Sequence, residues 1–295
     1  MNRVLRLCSL ETAIARRNIH TTSNSSYFYE SRKSGYTPRL DRPPEPPNGI
    51  IERFNQGCSV IKTEIKKYIE ETKIDFSKER MIYIPSKEYI FWKFDGEPKR
   101  RDEWILTCDS DNNEGFSTAS LEISPRGTGI FSGELITTAP KDGRIRRTGY
   151  CNITTAPKRK SFMRLDKLDW SMFNHIVLRV RGDGRCYMLN ILTKDIYDMT
   201  WNDMYHYPLH TRGGPYWQHV KIPFSRFLFG TKGGIQDKQY VPDFEEVSNF
   251  GITIADNITG HFKLEIDYIG VVYEHHHFEE SAYESTYEKF IRCRI

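Results

Sequence analysis

No stretch of this sequence supplies the roughly 20 consecutive apolar residues that a membrane-spanning helix requires, so any membrane contact is expected to be peripheral. The six cysteines (Cys8, Cys58, Cys108, Cys151, Cys186, Cys293) include no C-x-x-C pair. Zinc sites and disulfide frameworks favour recognisable spacings, so these read as mostly isolated thiols in a reducing compartment. Catalytic signatures are missing too. "EGFSTAS" lacks the second glycine of a nucleophile elbow, "GTKGGIQ" lacks the lysine and hydroxyl of a phosphate loop, and no H-E-x-x-H occurs. These absences leave catalytic, cofactor-binding and metal residues all without a candidate.

Net charge is also small. The formal net charge is +4, and Arg3, Arg6, Arg16 and Arg17 against Glu11 account for +3 of it, so +1 remains for the rest. A nearly neutral remainder gives no electrostatic case for nucleic acid. The run Lys158-Arg159-Lys160 reads as a solvated loop. In the basic start, Arg6 splits Val4-Leu5 from Leu7, which argues against a secretory signal. An Arg-rich, hydroxyl-rich, acid-poor leader over 1–22 is instead what a mitochondrial transit peptide looks like.

After it, 23–49 reads as a Pro-rich disordered spacer, with five prolines in "YTPRLDRPPEPPNG". Over 50–85 the chain reads as an amphipathic helix and linker. Ile50, Ile51, Phe54, Cys58, Ile61, Ile65, Tyr68 and Ile69 recur at three- and four-residue steps and form one apolar stripe. The stripe is expected to pack on its own domain in preference to a partner.

From 86 to 275 the pattern becomes short extended runs separated by turns such as Asp95-Gly96 and Lys141-Asp142-Gly143. Many short strands with almost no helix between them predict an all-β fold, an antiparallel β-sandwich. Candidate strands are Tyr89–Phe94, Trp104–Cys108, Ser117–Ile123, Thr128–Thr138, Thr148–Ile153, His175–Arg181, Arg185–Thr193, Tyr216–Ile222, Phe250–Ile254 and Phe262–Tyr273. Alternation on both sides of Gly182-Asp183-Gly184 predicts a β-hairpin there, and neither an adhesion tripeptide nor a dinucleotide loop. A helical spacing within 276–295 predicts a short C-terminal helix.

Three further segments hold candidate chemistry. Neighbours on an extended chain point to alternating sides, so His275-His276-His277 is a poor metal site. The acidic stretch "TCDSDNNEG" reads as a solvated loop that lacks the calcium register. In "DMTWNDMYHYPLHTRGGPYWQ", Trp201, Tyr205, Tyr207, Arg212 and Tyr216 are residue types that interfaces enrich; they form one candidate partner surface, with the equal alternative that half of the segment lines the sandwich. Trp217, beside the following strand, is expected in the core. Ile61 and Ile65, at the centre of the helical stripe, form a second candidate surface.

In order along the chain, "WKFD", "DSDNNEGFSTASLEI", "GIFSGEL", "APKDGRIRRTGYCNI", "VLRVRGDGRCYMLNI", "TRGGPYWQHVKIPFSRF" and "FKLEIDYIGVVYE" resemble the complex I intermediate-associated protein 30 family over about Trp92 to Glu274. One departure is Glu114-Gly115-Phe116-Ser117, where many members of the wider domain family have Gly-Gly-x-Ser. The resemblance implies a galactose-binding-like jelly roll imported into the mitochondrial matrix and peripheral to the inner membrane. It implies a non-catalytic chaperone of complex I assembly intermediates, with the Ecsit adaptor and an acyl-CoA dehydrogenase-like assembly factor as partners. It supplies no catalytic residues and no cofactor. Two other classes stay open: a glycan-binding module, and an enzyme acting on a small sugar or nucleotide. The second would set Asp109 or Asp111 against His206 or His210 across a deep cleft.

Overall fold

The computed structural model describes residues 50–77, 84–140, 148–193, 203–231 and 234–279. The leader, the spacer, Trp201 and the C-terminal helix beyond Glu279 lie outside the described residues. Helix α1 (Ile50–Ser77) comes first, then β1 (Glu88–Lys93), the single turn α2 (Lys99–Asp102), β2 (Trp104–Cys108), β3 (Thr118–Ile123), β4 (Gly129–Leu135) and β5 (Cys151–Thr155). There follow β6 (His175–Arg181), β7 (Cys186–Leu192), β8 (Asp203–His210), β9 (Gln218–Pro223), β10 (Leu228–Thr231), β11 (Gly234–Ile235), β12 (Asn249–Ile254) and β13 (Gly260–Val272).

Every strand pairing is antiparallel, and the strands divide between two sheets. One has six strands in the order β3-β4-β13-β6-β9, with β1 also on β13; the other has seven in the order β11-β10-β8-β7-β12-β5-β2. Their inner faces share one core, a β-sandwich as the alternating runs require. Strand β13 is the spine of the first sheet. Its first half pairs with β4, its second half with β1, and its other edge with β6. Phe262, Leu264 and Ile266 face inward; a bulge between Ile266 and Tyr268 then shifts the phase, so Ile269 and Val271 face inward next. Without that extra residue the second half of the strand would turn its apolar side to solvent.

Aromatic rings fill the space between the sheets. Trp92 stacks on Phe250 with centroids 6.0 Å apart, Phe94 on Trp104 at 5.8 Å, and the fully buried Trp170 on Phe224 at 5.8 Å. Rings of this size dominate core energetics, each worth about 3–5 kcal/mol against alanine.

The hairpin expected at Gly182-Asp183-Gly184 is not one. Strands β6 and β7 flank it as anticipated, but β6 pairs with β13 and β9, and β7 with β8 and β12. The segment is a corner that carries the chain from one sheet to the other. Asp183 holds it, accepting from the backbone N–H of Arg185 (3.0 Å) and of Lys263 (2.7 Å). Gly184 has φ +97°, and a Cβ on Gly182 would lie 2.3 Å from the Thr211 side chain. Local alternation marks both strands but says nothing of which sheet each joins.

Candidate functional site

Helix α1 meets the sandwich with the wrong face for a packed stripe. Its contacts fall on the turn Ser161–Met163 and the following Arg164. Glu71 accepts from the Ser161 N–H (2.6 Å), the Ser161 hydroxyl (2.8 Å) and Arg164 Nη2 (2.8 Å). Glu64 accepts from the Phe162 N–H at 2.6 Å. Tyr68 lies between them, its ring 6.2 Å from that of Phe162 and beneath the Arg164 guanidinium at 5.3 Å. Positions 64, 68 and 71 share one side of a helix, and that side is attached by polar contacts. The hydrogen bond from Phe162, with help from Lys67, holds the Glu64 carboxyl below the usual carboxylate range.

At 100° per residue, Phe54, Cys58, Ile61, Ile65 and Ile69 sit about a quarter-turn from the docked face. Tyr68 of the stripe does pack on the domain, against Phe162, but for Phe54, Ile61, Ile65 and Ile69 the expectation that the stripe packs on its own domain is overturned. Phe54 is 71% exposed, Ile61 54%, Ile65 45% and Ile69 47%, and no side chain of α1 among the described residues is buried. The cause is visible in the contacts: two carboxylates from one edge of the helix take the donors of a single turn and hold the apolar face away from the sheets. Isolated exposed apolar side chains are ordinary; here they form a continuous row along one side of the helix.

The aromatic segment separates into core and surface. Residues 203–210 form strand β8, not a loop, with Tyr205, Tyr207 and Leu209 on its inner side. Tyr205 is buried against Phe229 (5.4 Å), so it fills the core and is absent from the surface. Tyr207 is half-buried, 5.5 Å from Phe227. Pro208 disguises the strand, and the fold tolerates it because β10 pairs only with the 203–206 end of β8. Beyond β8, Arg212 and Tyr216 are exposed, Tyr216 at 82%. Trp217 is not core: it lies half-buried under Arg179 and Arg181, whose guanidiniums stand 4.9 and 5.1 Å from its ring centroid.

The acidic stretch is not a solvated loop either. Asp109 is fully buried. Its carboxylate accepts from the Ser117 N–H (2.8 Å), the Ser117 hydroxyl (2.9 Å) and the Gly149 N–H (2.8 Å). A Cβ on Gly115 would come 2.1 Å from Asp109 Oδ2, which explains the glycine in Glu114-Gly115-Phe116-Ser117. Asp111 caps the Cys108 N–H at 2.9 Å. The Asp109 carboxylate is therefore not free to face a histidine. His206 belongs to a polar ladder across the outer face of the seven-stranded sheet: His206 Nδ1 to Asn190 (2.7 Å), Asn190 to Thr253 (2.8 Å), Thr253 to Asn152 (2.9 Å), Asn152 to Thr154 (2.7 Å). The histidine triplet divides as well. His277 packs on the buried His175 (centroids 4.7 Å) while His275 and His276 stay exposed. Among the described residues no three His, Cys, Asp or Glu side chains gather in a way that could hold a metal ion.

Sequence reasoning missed Glu64, Glu71, Ser161 and Arg164, the four residues that orient the helix. Their partners are 90 or more positions apart, and each is an ordinary surface residue type. No local signal marks such a contact.

Among solved structures, the chain is similar to the family 11 carbohydrate-binding module from Clostridium thermocellum in complex with a β-1,3-1,4-mixed-linked tetrasaccharide. The identity is 17% and the TM-score 0.43, covering 63% of this chain and 96% of that one. Among curated proteins it is 43% identical over 270 residues to "Complex I intermediate-associated protein 30, mitochondrial" of Drosophila melanogaster, covering 90% of this chain and 89% of the relative. It is 48% identical over 237 residues to "Probable complex I intermediate-associated protein 30, mitochondrial" of Caenorhabditis elegans, covering 79% and 69%. The family model for Complex I intermediate-associated protein 30 matches residues 92–266, which is most of the sandwich and more than half of the chain. The chain therefore belongs to the complex I intermediate-associated protein 30 family.

Proposed function

We propose that this protein is a non-catalytic assembly factor for mitochondrial respiratory complex I, a matrix protein peripheral to the inner membrane that binds membrane-arm intermediates through α1. Family membership and the names of the relatives support the assembly role. The observation that carries the mode of binding is the exposed row Phe54, Ile61, Ile65 and Ile69, held outward by Glu64 and Glu71. A helix presenting such a row suits an apolar groove in another polypeptide. Arg212 and Tyr216 at the tip of the β8–β9 connection form a second, smaller contact. The Ecsit adaptor and an acyl-CoA dehydrogenase-like assembly factor are the partners that would hold this protein on the intermediate.

A release step is built into such a design. The sandwich keeps its own core whether or not α1 is engaged, because no α1 side chain among the described residues contributes to that core. Native-gel proteomics of mitochondria carrying the tagged protein tests the role. The protein should migrate with partial complex I assemblies and be absent from the finished enzyme. Co-migration with the mature enzyme would make it a subunit, and residence outside mitochondria would end the reading.

A further inference from the structure

Two of the cysteines, which the sequence presents as mostly isolated thiols, are brought face to face by the fold. Cys108 closes β2 and Cys151 opens β5, and the register sets them directly opposite each other. The Asp109 N–H donates to the Tyr150 carbonyl (3.1 Å), so 109 and 150 are a hydrogen-bonded pair. Hydrogen-bonded and non-hydrogen-bonded pairs alternate along an antiparallel ladder, which makes Cys108 and Cys151 a non-hydrogen-bonded pair. At such positions the Cα atoms lie about 4.5 Å apart and the side chains are at their closest. A disulfide needs a Cα separation of about 4.4–6.8 Å, so the bond forms with little backbone movement, at the short end of its range. Bonds away from the preferred spacing are the more easily reduced ones.

Both side chains point into the core, Cys108 at 4% exposure and Cys151 at 0%. The adjacent Cys108 thiol first, and burial next, hold the Cys151 thiol above its ordinary range, while the adjacent Cys151 thiol lowers that of Cys108. Cys108 is then the sulfur that loses its proton first. The pair is close to the sheet rim, since β2 is the terminal strand of the seven-stranded sheet. Cys151 Sγ also lies 3.9 Å from the Thr118 carbonyl, at the start of β3.

We propose that Cys108 and Cys151 form a reversible cross-strand disulfide, a modification site written by hydrogen peroxide and erased by a dithiol reductant. The Cys108 thiolate attacks one peroxide oxygen; the O–O bond breaks, and the departing hydroxide takes up the Cys108 proton to become water. The resulting sulfenic acid is attacked by the Cys151 sulfur. The S–S bond forms, the S–O bond breaks, and the hydroxyl leaves with the Cys151 proton as a second water. Two thiols lose two electrons and one peroxide gains them. A dithiol reverses the change by exchange, becoming a disulfide itself. The staple would tie the terminal strand to its neighbour at the point where Asp109 gathers Ser117 and Gly149, so the oxidised form should be the more heat-resistant one.

Peroxide titration of the purified full-length chain tests this. After quenching with an alkylating reagent, unfolding and proteolysis, mass spectrometry should find the Cys108 and Cys151 peptides joined, with a loss of about 2 Da relative to the two thiols. Dithiothreitol should restore both thiols, and Tm should rise on oxidation in the wild type but not in Cys151→Ser. Two outcomes would overturn the proposal. In one, both thiols remain alkylatable at peroxide doses that oxidise Cys58. In the other, Cys108 becomes a sulfinic acid with no linked peptide.

Discussion

At the scale of single residues, Asp109 is the clearest case of a side chain whose environment assigns its role. A buried carboxylate must find partners, and this one has three donors from two distant segments. Asp109→Ala would orphan all three and should cost about 3 kcal/mol or more, measured as a shift in denaturant midpoint. His175 is a second case. Burial first, then His277, Lys221 and Arg226, push its pKa down to about 4, against an opposing pull from Glu274. The unfolded chain titrates near 6.5, so between those values the unfolded state binds more protons than the folded one. Stability is therefore complete above about pH 6.5 and falls as pH drops toward 4. Burial lowers His206 in the same direction. Tm should fall by about 5 °C between about pH 7 and pH 5, and less in His175→Gln. Neither role was legible in the sequence. "TCDSDNNEG" has the composition of a wet loop, and only the return of Gly149 and Ser117 to Asp109 turns it into a buried knot. Alternation predicts that the histidine triplet divides, but not that His277 alone turns inward.

Elements were more legible where a short apolar run stands between polar or turn residues. Strand β2 was anticipated at its observed bounds, as was β6, because Trp104–Leu106 and Ile176–Leu178 are such runs. Strand β8 was lost to Pro208, although Tyr205, Tyr207 and Leu209 alternate within it. Short β10 and β11 carry too few residues for any periodicity to register. Helix α1 was legible as an amphipathic helix, but the side it would present was not, because helix periodicity identifies an apolar face and not what covers it. The contacts answer that. Replacing both pins, Glu64→Gln with Glu71→Gln, should speed amide exchange across α1 by about tenfold while leaving the strands protected. Ile61→Asp with Ile65→Asp removes apolar surface that touches no core residue. Its Tm should match the wild type within about 1 °C, and its recovery of complex I intermediates from mitochondrial lysate should fall by at least about tenfold. A large loss of Tm would mean that the stripe is part of the fold.

The whole molecule then has two parts with different duties: a sandwich that supplies rigidity through one aromatic-rich core, and a helix attached to it by polar contacts with its apolar row outward. Fold class could be foreseen because turns and alternation are local signals. The assignment of strands to sheets, the corner at Gly182–Gly184 and the orientation of α1 are long-range outcomes that local signals do not encode. The most direct test of this arrangement is site-specific photocrosslinking in intact mitochondria, with the reactive side chain placed at Ile65 on the row or at Thr63 on the opposite side of the helix. Adducts from position 65 to complex I subunits or assembly factors, and none from position 63, are the predicted result. Adducts from position 65 to the protein's own sandwich, or equal yields from both positions, would contradict it.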